Sequence, residues 1–266
     1  MLTESQIAEY RSEGFLLLED VFDVGDIAAL RREVTDLYGT EHPGRIFEED
    51  GTTVRGIHGC HTTGALFSRL VRLPELLSAA EELLDSKVHV FQCKVNAKQA
   101  LRGEVWQWHQ DYSVWGPKDG MPEPRAVNVA LLLDDATEHN GPLLVVPGSH
   151  RNGAITPWRP EPANTSQWEA DLSAKLKFAL DAEQMAKVTA ESEIRSIVGR
   201  AGSLLFFHPC IAHGSGANMA PTDRTMAFVS YNSVDNELRD VPSPRPEFVA
   251  SRDYRPLELV DGGLIA

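Results

Sequence analysis

The triplet His109-Gln110-Asp111, set in Trp-His-Gln-Asp-Tyr, is followed far along the chain by a lone His213-Gly-Ser and then by Arg224. If side chains from two such distant segments are to meet on one ion, the fold must bring those segments side by side. Two imidazoles and one carboxylate are the donors that hold iron(II) on one face and leave the opposite positions open for a keto acid and oxygen. The chain therefore reads as an oxygenase, with His109, Asp111 and His213 as the candidate metal ligands.

Strand geometry gives the spacing a reason. Residues two apart on a strand point to the same side, so His109 and Asp111 are expected to converge while Gln110 faces away. His213 lies just beyond the apolar run 203–207, where Gly214 and Gly216 loosen the backbone. Arg224 opens a second apolar run, 225–231, whose β-branched and aromatic residues suit a buried strand. Pairing of those two runs as neighbours would carry the guanidinium to the metal pocket. A permanently charged planar fork suits the distal carboxylate of a dicarboxylate.

At 266 residues the sequence is read as one domain, 1–266, with a helical N-terminal layer over about 1–86 and a jelly-roll core over about 87–235. Helix signals are an N-cap at Thr3 with a stop at Gly14, apolar residues at helical spacing from Val24 to Tyr38, and Pro74 in the first turn of 73–84. Strand candidates follow at 87–98, 126–133, 143–146, 194–198, 203–207 and 225–231. Many strands after a helical start suggest a mainly β chain, a double-sheet jelly roll with helices over one face. Residues 150–190 read as an insertion with a helix near 166–180, a candidate lid. The Pro- and Arg-rich stretch 241–256 is expected to wrap the surface.

A net charge of -14 disfavours nucleic acid and anionic membranes, since both need basic patches. Cys60, Cys93 and Cys210 lack metal-type spacing, and an odd number argues against a closed disulfide framework, so reduced core cysteines in a cytoplasmic protein are expected. No basic and apolar leader opens the sequence, and no run reaches the length of a membrane span. Nothing in the sequence speaks to oligomeric state.

The blocks Val54-Arg-Gly-Ile-His-Gly-Cys-His61, Gln92-Cys-Lys-Val-Asn-Ala-Lys98, Trp106-Gln-Trp-His-Gln-Asp-Tyr112, Asp119-Gly-Met-Pro122, Asn140-Gly-Pro142, Pro147-Gly-Ser-His150 and His213-Gly-Ser-Gly-Ala-Asn218 resemble the phytanoyl-CoA dioxygenase family of iron(II)/2-oxoglutarate oxygenases. The likeness spans nearly the whole chain and is strongest with the branch that acts on free amino acids. It implies a double-stranded β-helix (cupin-like) core, iron(II) as the metal, 2-oxoglutarate and O2 as co-substrates, and ascorbate as a reductant in vitro. It also implies that His109, Asp111 and His213 hold iron, that Arg224 meets the distal carboxylate of 2-oxoglutarate, and that Lys98 and Ser215 stand beside that co-substrate. Gln92 and Trp115 match positions lining a substrate pocket, and Arg55 or His58 is expected to bind a substrate carboxylate. The implied reaction is hydroxylation of a small amino acid, first L-proline to trans-4-hydroxy-L-proline, with leucine, pipecolate or ectoine as alternatives.

Other readings stand beside these. Lys98 alone could cap a strand edge with charge, and Arg55 and His58, in what reads as a polar loop, could be solvated. His150 and His208 are rival metal ligands, which the resemblance decides against. Among Trp106, Trp108 and Trp115, strand parity sets Trp106 apart from His109 and leaves Trp115 as the pocket wall. Asp111 favours hydroxylation over halogenation, which needs that position open for chloride. A non-catalytic, cupin-like binding protein that keeps the metal and turns nothing over is the alternative of a different class.

Overall fold

A computed structural model describes residues 1–48, 50–155 and 178–265. Seven strands form the larger sheet: β1 (Phe15–Leu18), β2 (Arg45–Phe47), β3 (Val54–His58), β4 (Val88–Lys98), β6 (Ala126–Leu132), β9 (Leu204–Phe207) and β11 (Arg224–Ser233). Their order is β1-β9-β6-β11-β4-β3-β2. The smaller sheet, in the order β5-β10-β7-β8, holds β5 (Trp106–His109), β7 (Leu143–Val145), β8 (Arg195–Ile197) and β10 (His213–Ser215). Neighbouring strands run antiparallel in both sheets.

The strands read as continuous apolar runs because the larger sheet is buried on both faces. On β6, Val127, Val129 and Leu131 face one core while Ala130 and Leu132 face another. The first core is closed by helices. In α2 (Val24–Gly39) Ile27, Leu30, Val34 and Leu37 are buried at helical spacing, and α5 (Pro74–Leu84) buries Leu76, Leu77, Ala79 and Ala80. The second core lies between the sheets, where Phe207, Met226 and Phe228 of the larger meet Leu143, Val145 and Ile197 of the smaller. Helix α1 (Glu4–Glu13) starts at a Thr3–Gln6 capping box and stops where Gly14 takes φ 80°, as the sequence signals suggest. The mainly β jelly roll with a helical layer on one side is therefore the architecture adopted.

Several expectations need correction. The runs 203–207 and 225–231 are not neighbours, because β6 pairs with both β9 and β11 and separates them. Arg55 and His58 lie on a strand rather than a loop. Gly56 lets β3 approach β4 closely, since a Cβ there would stand 2.9 Å from the Val95 carbonyl oxygen, and Ile57 is fully buried. The stretch after Val241 does run over the surface, but it is pinned there. Arg245 is buried against Asp119, and Val249 and Ser251 join β4 through Gln92 Nε2 and the Phe91 carbonyl.

The helix expected near 166–180 lies mostly outside the described residues. Of the proposed insertion, the described parts are a 3-10 turn at Ser149–Asn152 and the helix α7 (Ala182–Val188). The three cysteines are free and buried. No helix among the described residues is long and apolar enough to cross a membrane.

Candidate metal centre and adjoining pocket

His109 ends β5 and His213 begins β10, and the two are register partners across that strand pair. Their rings lie 4.1 Å apart, centroid to centroid. Asp111 is not on a strand. Its backbone is helical, φ -61° and ψ -41°, at the entry to helix α6 (Tyr112–Asp119). The convergence of His109 and Asp111 therefore comes from a strand-to-helix junction, not from strand alternation. Gln110 between them is buried and ties the junction down, donating to the Gly153 and Cys210 carbonyls and accepting from Ile155 N–H.

His109 Nε2 lies 3.9 Å from Asp111 Oδ1, and His213 Nε2 lies 3.7 Å from Asp111 Oδ2. One ligand atom from each of the three residues falls within 4.8 Å of the others, a span one ion can bridge. The donor set fits a metal in a second way. Each imidazole places Nδ1 against a backbone carbonyl, Gln107 O at 2.7 Å and Ile211 O at 3.0 Å. A carbonyl only accepts, so Nδ1 carries the proton and the Nε2 lone pair is left for a cation. Burial, reinforced by His213, lowers the His109 pKa to about 3, so the ring is neutral as a ligand must be. Burial works to raise the Asp111 pKa, but His213, Lys94, His109 and the Asn128 hydrogen bond together hold it below the usual value.

The triad opens onto a pocket between the sheets, lined among others by Lys94, Asn128, Ser215 and Arg224. Arg224 is buried, donating from Nη2 to Gly141 O at 2.7 Å while its Nε finds no partner. Burial lowers its pKa to about 10, so it stays charged. A buried cation with an unsatisfied N–H suits an anionic ligand.

Lys98 faces Arg224 across the β4–β11 register. Its ammonium donates to the carbonyls of Glu104 and Gly216, and its stem packs against Gly141, where a Cβ would stand 3.0 Å from Lys98 Cδ. Burial, then repulsion from Arg224, lowers its pKa to about 7. Two of its three donors thus already hold loops at the pocket mouth.

A second pocket adjoins the first, sharing Lys94, Asn96, Lys98 and Trp106 with it and adding Glu48, Arg55 and His58. Arg55 stacks its guanidinium over the Trp106 ring at 5.1 Å. His58 is 2 % exposed, and burial, then Lys94 and Arg245, push its pKa well down, so it is neutral. Glu48 has its pKa raised by burial.

Two expected wall residues lie elsewhere. Trp115 packs edge-on against Phe91 at 5.0 Å in a separate cluster with Met121, Ala126 and Ala250, and lines neither pocket. Gln92 is buried and spends its amide on Val249 O at 2.7 Å. Trp106, set aside on parity, lines both pockets because the β5–β10 register shifts between His213 and Ser215, placing an extra β5 residue opposite that step. Sequence reasoning also missed Lys94 and Asn128. The signal was present, as each is a polar side chain within an apolar run. The rivals His150 and His208 pack against each other with tilted rings, centroids 5.2 Å apart, and His150 Nε2 meets the Arg11 carbonyl at 3.1 Å.

A jelly roll with a two-histidine, one-carboxylate cluster at its mouth, opening onto a buried arginine, defines the architecture of a non-haem dioxygenase. The family model for phytanoyl-CoA dioxygenase matches residues 10–226, and the chain belongs to that family. It is 38% identical over 253 residues to the L-proline trans-4-hydroxylase of Streptomyces griseoviridis, covering 95% of this chain and 94% of that one. To the ectoine dioxygenase of Bordetella bronchiseptica it is 36% identical over 274 residues, covering 97% and 86%. The crystal structure of EctD from S. alaskensis with 2-oxoglutarate and 5-hydroxyectoine matches at a TM-score of 0.85 and 29% identity, over 99% of this chain and 89% of that one.

Proposed function

We propose that this chain hydroxylates a free amino acid, L-proline to trans-4-hydroxy-L-proline, with iron(II), 2-oxoglutarate and O2. The observation that carries the reading is whole-length similarity to an L-proline trans-4-hydroxylase together with the complete triad. His109, Asp111 and His213 would hold the iron, and Arg224 would hold the distal carboxylate of 2-oxoglutarate, with Ser215 beside it. Bound there, the metal supplies oxidative decarboxylation of the keto acid coupled to hydroxylation of an unactivated carbon.

The chain's own contribution is placement and exclusion of water. Lys94, Arg55 and His58 offer cationic or donor groups for the carboxylate of a zwitterion, and Glu48 offers an acceptor for its amine. The carbon nearest the metal then reacts, so the shape set by Trp106 and Phe228 governs the outcome. Lys98 supports the pocket mouth through its two carbonyls and has one donor left for the co-substrate. The chain acts as one dioxygenase domain, and a free amino acid and 2-oxoglutarate as substrates favour the cytoplasm.

Ectoine is the second reading, favoured by the likeness to ectoine dioxygenases and to EctD. One wall substitution can separate two such substrates, because a methylene in a pocket is worth only about 1–3 kcal/mol. The test is succinate release by purified enzyme with iron(II), ascorbate and 2-oxoglutarate, screened over the common amino acids, pipecolate and ectoine, with His109→Ala as control. Stimulation by L-proline, lost in the control and accompanied by a hydroxylated product, is the expected result. Stimulation by ectoine alone replaces the substrate, and succinate from no compound overturns the free-amino-acid reading in favour of a larger or carrier-bound substrate or of a metal-binding protein without turnover.

A further inference from the structure

Asp111 is the one carboxylate of the triad, and a carboxylate with both oxygens free can grip a metal through one oxygen or two. In this fold Asp111 Oδ2 accepts a hydrogen bond from Asn128 Nδ2 at 2.8 Å, and Asn128 is 2 % exposed on the otherwise apolar β6. An amide can face a carboxylate with either end, and with its oxygen inward it would repel the charge. The carboxylate, which only accepts, draws Nδ2 toward it, and Ser230 then satisfies the other end. Its hydroxyl donates to Asn128 Oδ1 at 2.6 Å, from the register position directly opposite Asn128 on β11. With Oδ1 held by the hydroxyl and Nδ2 by the carboxylate, both ends of the amide are engaged.

Both residues are buried polar groups, a costly arrangement unless their hydrogen bonds are all made. They also lie on the larger sheet, whereas His109 and His213 come from the smaller. The pair therefore connects the triad to the opposite wall of the jelly roll.

We propose that Asn128 and Ser230 are positioning residues that orient Asp111 for metal ligation, Ser230 acting through Asn128. Asn128 holds Oδ2, and the carboxylate so fixed faces both imidazoles, Oδ1 at 3.9 Å from His109 Nε2 and Oδ2 at 3.7 Å from His213 Nε2. This rests on the assignment of iron to His109, Asp111 and His213.

The test is anaerobic calorimetric titration of the metal-free enzyme with iron(II), and with cobalt(II) for its absorption bands. Asn128→Ala should weaken both metals about 10- to 100-fold, the usual effect of removing a partner that orients a ligand. Ser230→Ala should weaken them less, and Ser230→Thr, which keeps the hydroxyl, should bind like wild type. Ser230→Ala added to Asn128→Ala should change nothing further, and the cobalt bands of Asn128→Ala should shift. Urea unfolding of each metal-free variant separates ligand positioning from lost stability.

Wild-type affinity in Asn128→Ala, or an independent effect of Ser230→Ala in the double variant, overturns the proposal. Failure of the underlying assignment looks different, because then His109→Ala binds metal as well as wild type does.

Discussion

Arg224 and Lys98 face each other across two strands, yet their surroundings assign them different work. The Arg224 guanidinium reaches the pocket with an unpartnered Nε, while the Lys98 ammonium is already engaged by two backbone carbonyls. Arg224→Ala should raise the KM for 2-oxoglutarate about 10- to 100-fold, the worth of one charge-assisted hydrogen bond of about 1.5–3 kcal/mol. Arg224→Lys should recover little, since an ammonium cannot reproduce a planar fork. Initial rates against 2-oxoglutarate concentration decide, and an unaltered KM in Arg224→Ala removes that residue from the co-substrate site. Lys98→Met should instead lower stability and loosen the mouth loops, with a smaller rise in the same KM. At this scale the sequence was legible wherever a polar residue interrupts an apolar run. That signal exposed Arg224 at the head of one strand and would have exposed Asn128 and Lys94. It could not show that the Lys98 head group is spoken for, because Glu104 and Gly216 are identifiable as its partners only once the loops are placed.

Elements were legible where one face is apolar and hidden where a junction carries the geometry. Helices α2 and α5 follow the helical spacing of their apolar residues, α1 its capping signals, and strands β4, β6, β9 and β11 their apolar runs. The β5–α6 junction does not, since Asp111 reaches the site by entering a helix and Trp106 by a register shift, and neither follows from a period of two. Helix α6 shows a further dependence on the distant chain. It ends at Asp119, whose carboxylate is 0 % exposed and takes a bidentate bond from Arg245, at 2.8 Å from Nε and 2.5 Å from Nη2. Removing one partner of such a pair strands a buried charge, so Asp119→Ala should cost about 3–5 kcal/mol in urea unfolding. Because α6 begins at a metal ligand, the same variant should also bind iron(II) more weakly. A loss of stability below about 1 kcal/mol would mean that the stretch after Val241 is not anchored through this pair.

Among the described residues, His58 and His89, buried, and His109 and His208, half-buried, are held in their neutral form, and they set how stability responds to acid. Burial is the leading cause in each case: it lowers His109 to about 3 and His89 and His208 to about 4, and it pushes His58 well down. In the unfolded chain each titrates near 6.5. Below that pH the unfolded state takes up protons that the native state refuses, so the unfolded state binds more protons and stability falls as pH falls. The window runs from about 6.5 down to the folded values, and each histidine contributes about 1.4 kcal/mol per pH unit within it. Asp111, held below its ordinary value, has the same sign but acts only below about 4. Lys98, lowered to about 7, adds stability with rising pH above that value and does not enter the acid window. Metal-free enzyme should therefore lose stability steeply from pH 6.5 to 5 in urea unfolding at fixed ionic strength. His89 gives the clean control, because its Nε2 accepts from Asn232 at 3.2 Å far from the triad, a bond that protonation would break. His89→Gln keeps a polar group there without a titration, and its loss over the same interval should be smaller by about 2 kcal/mol. An equal loss in the variant would mean that His89 is protonated in the native state at pH 5, and that the acid sensitivity arises elsewhere.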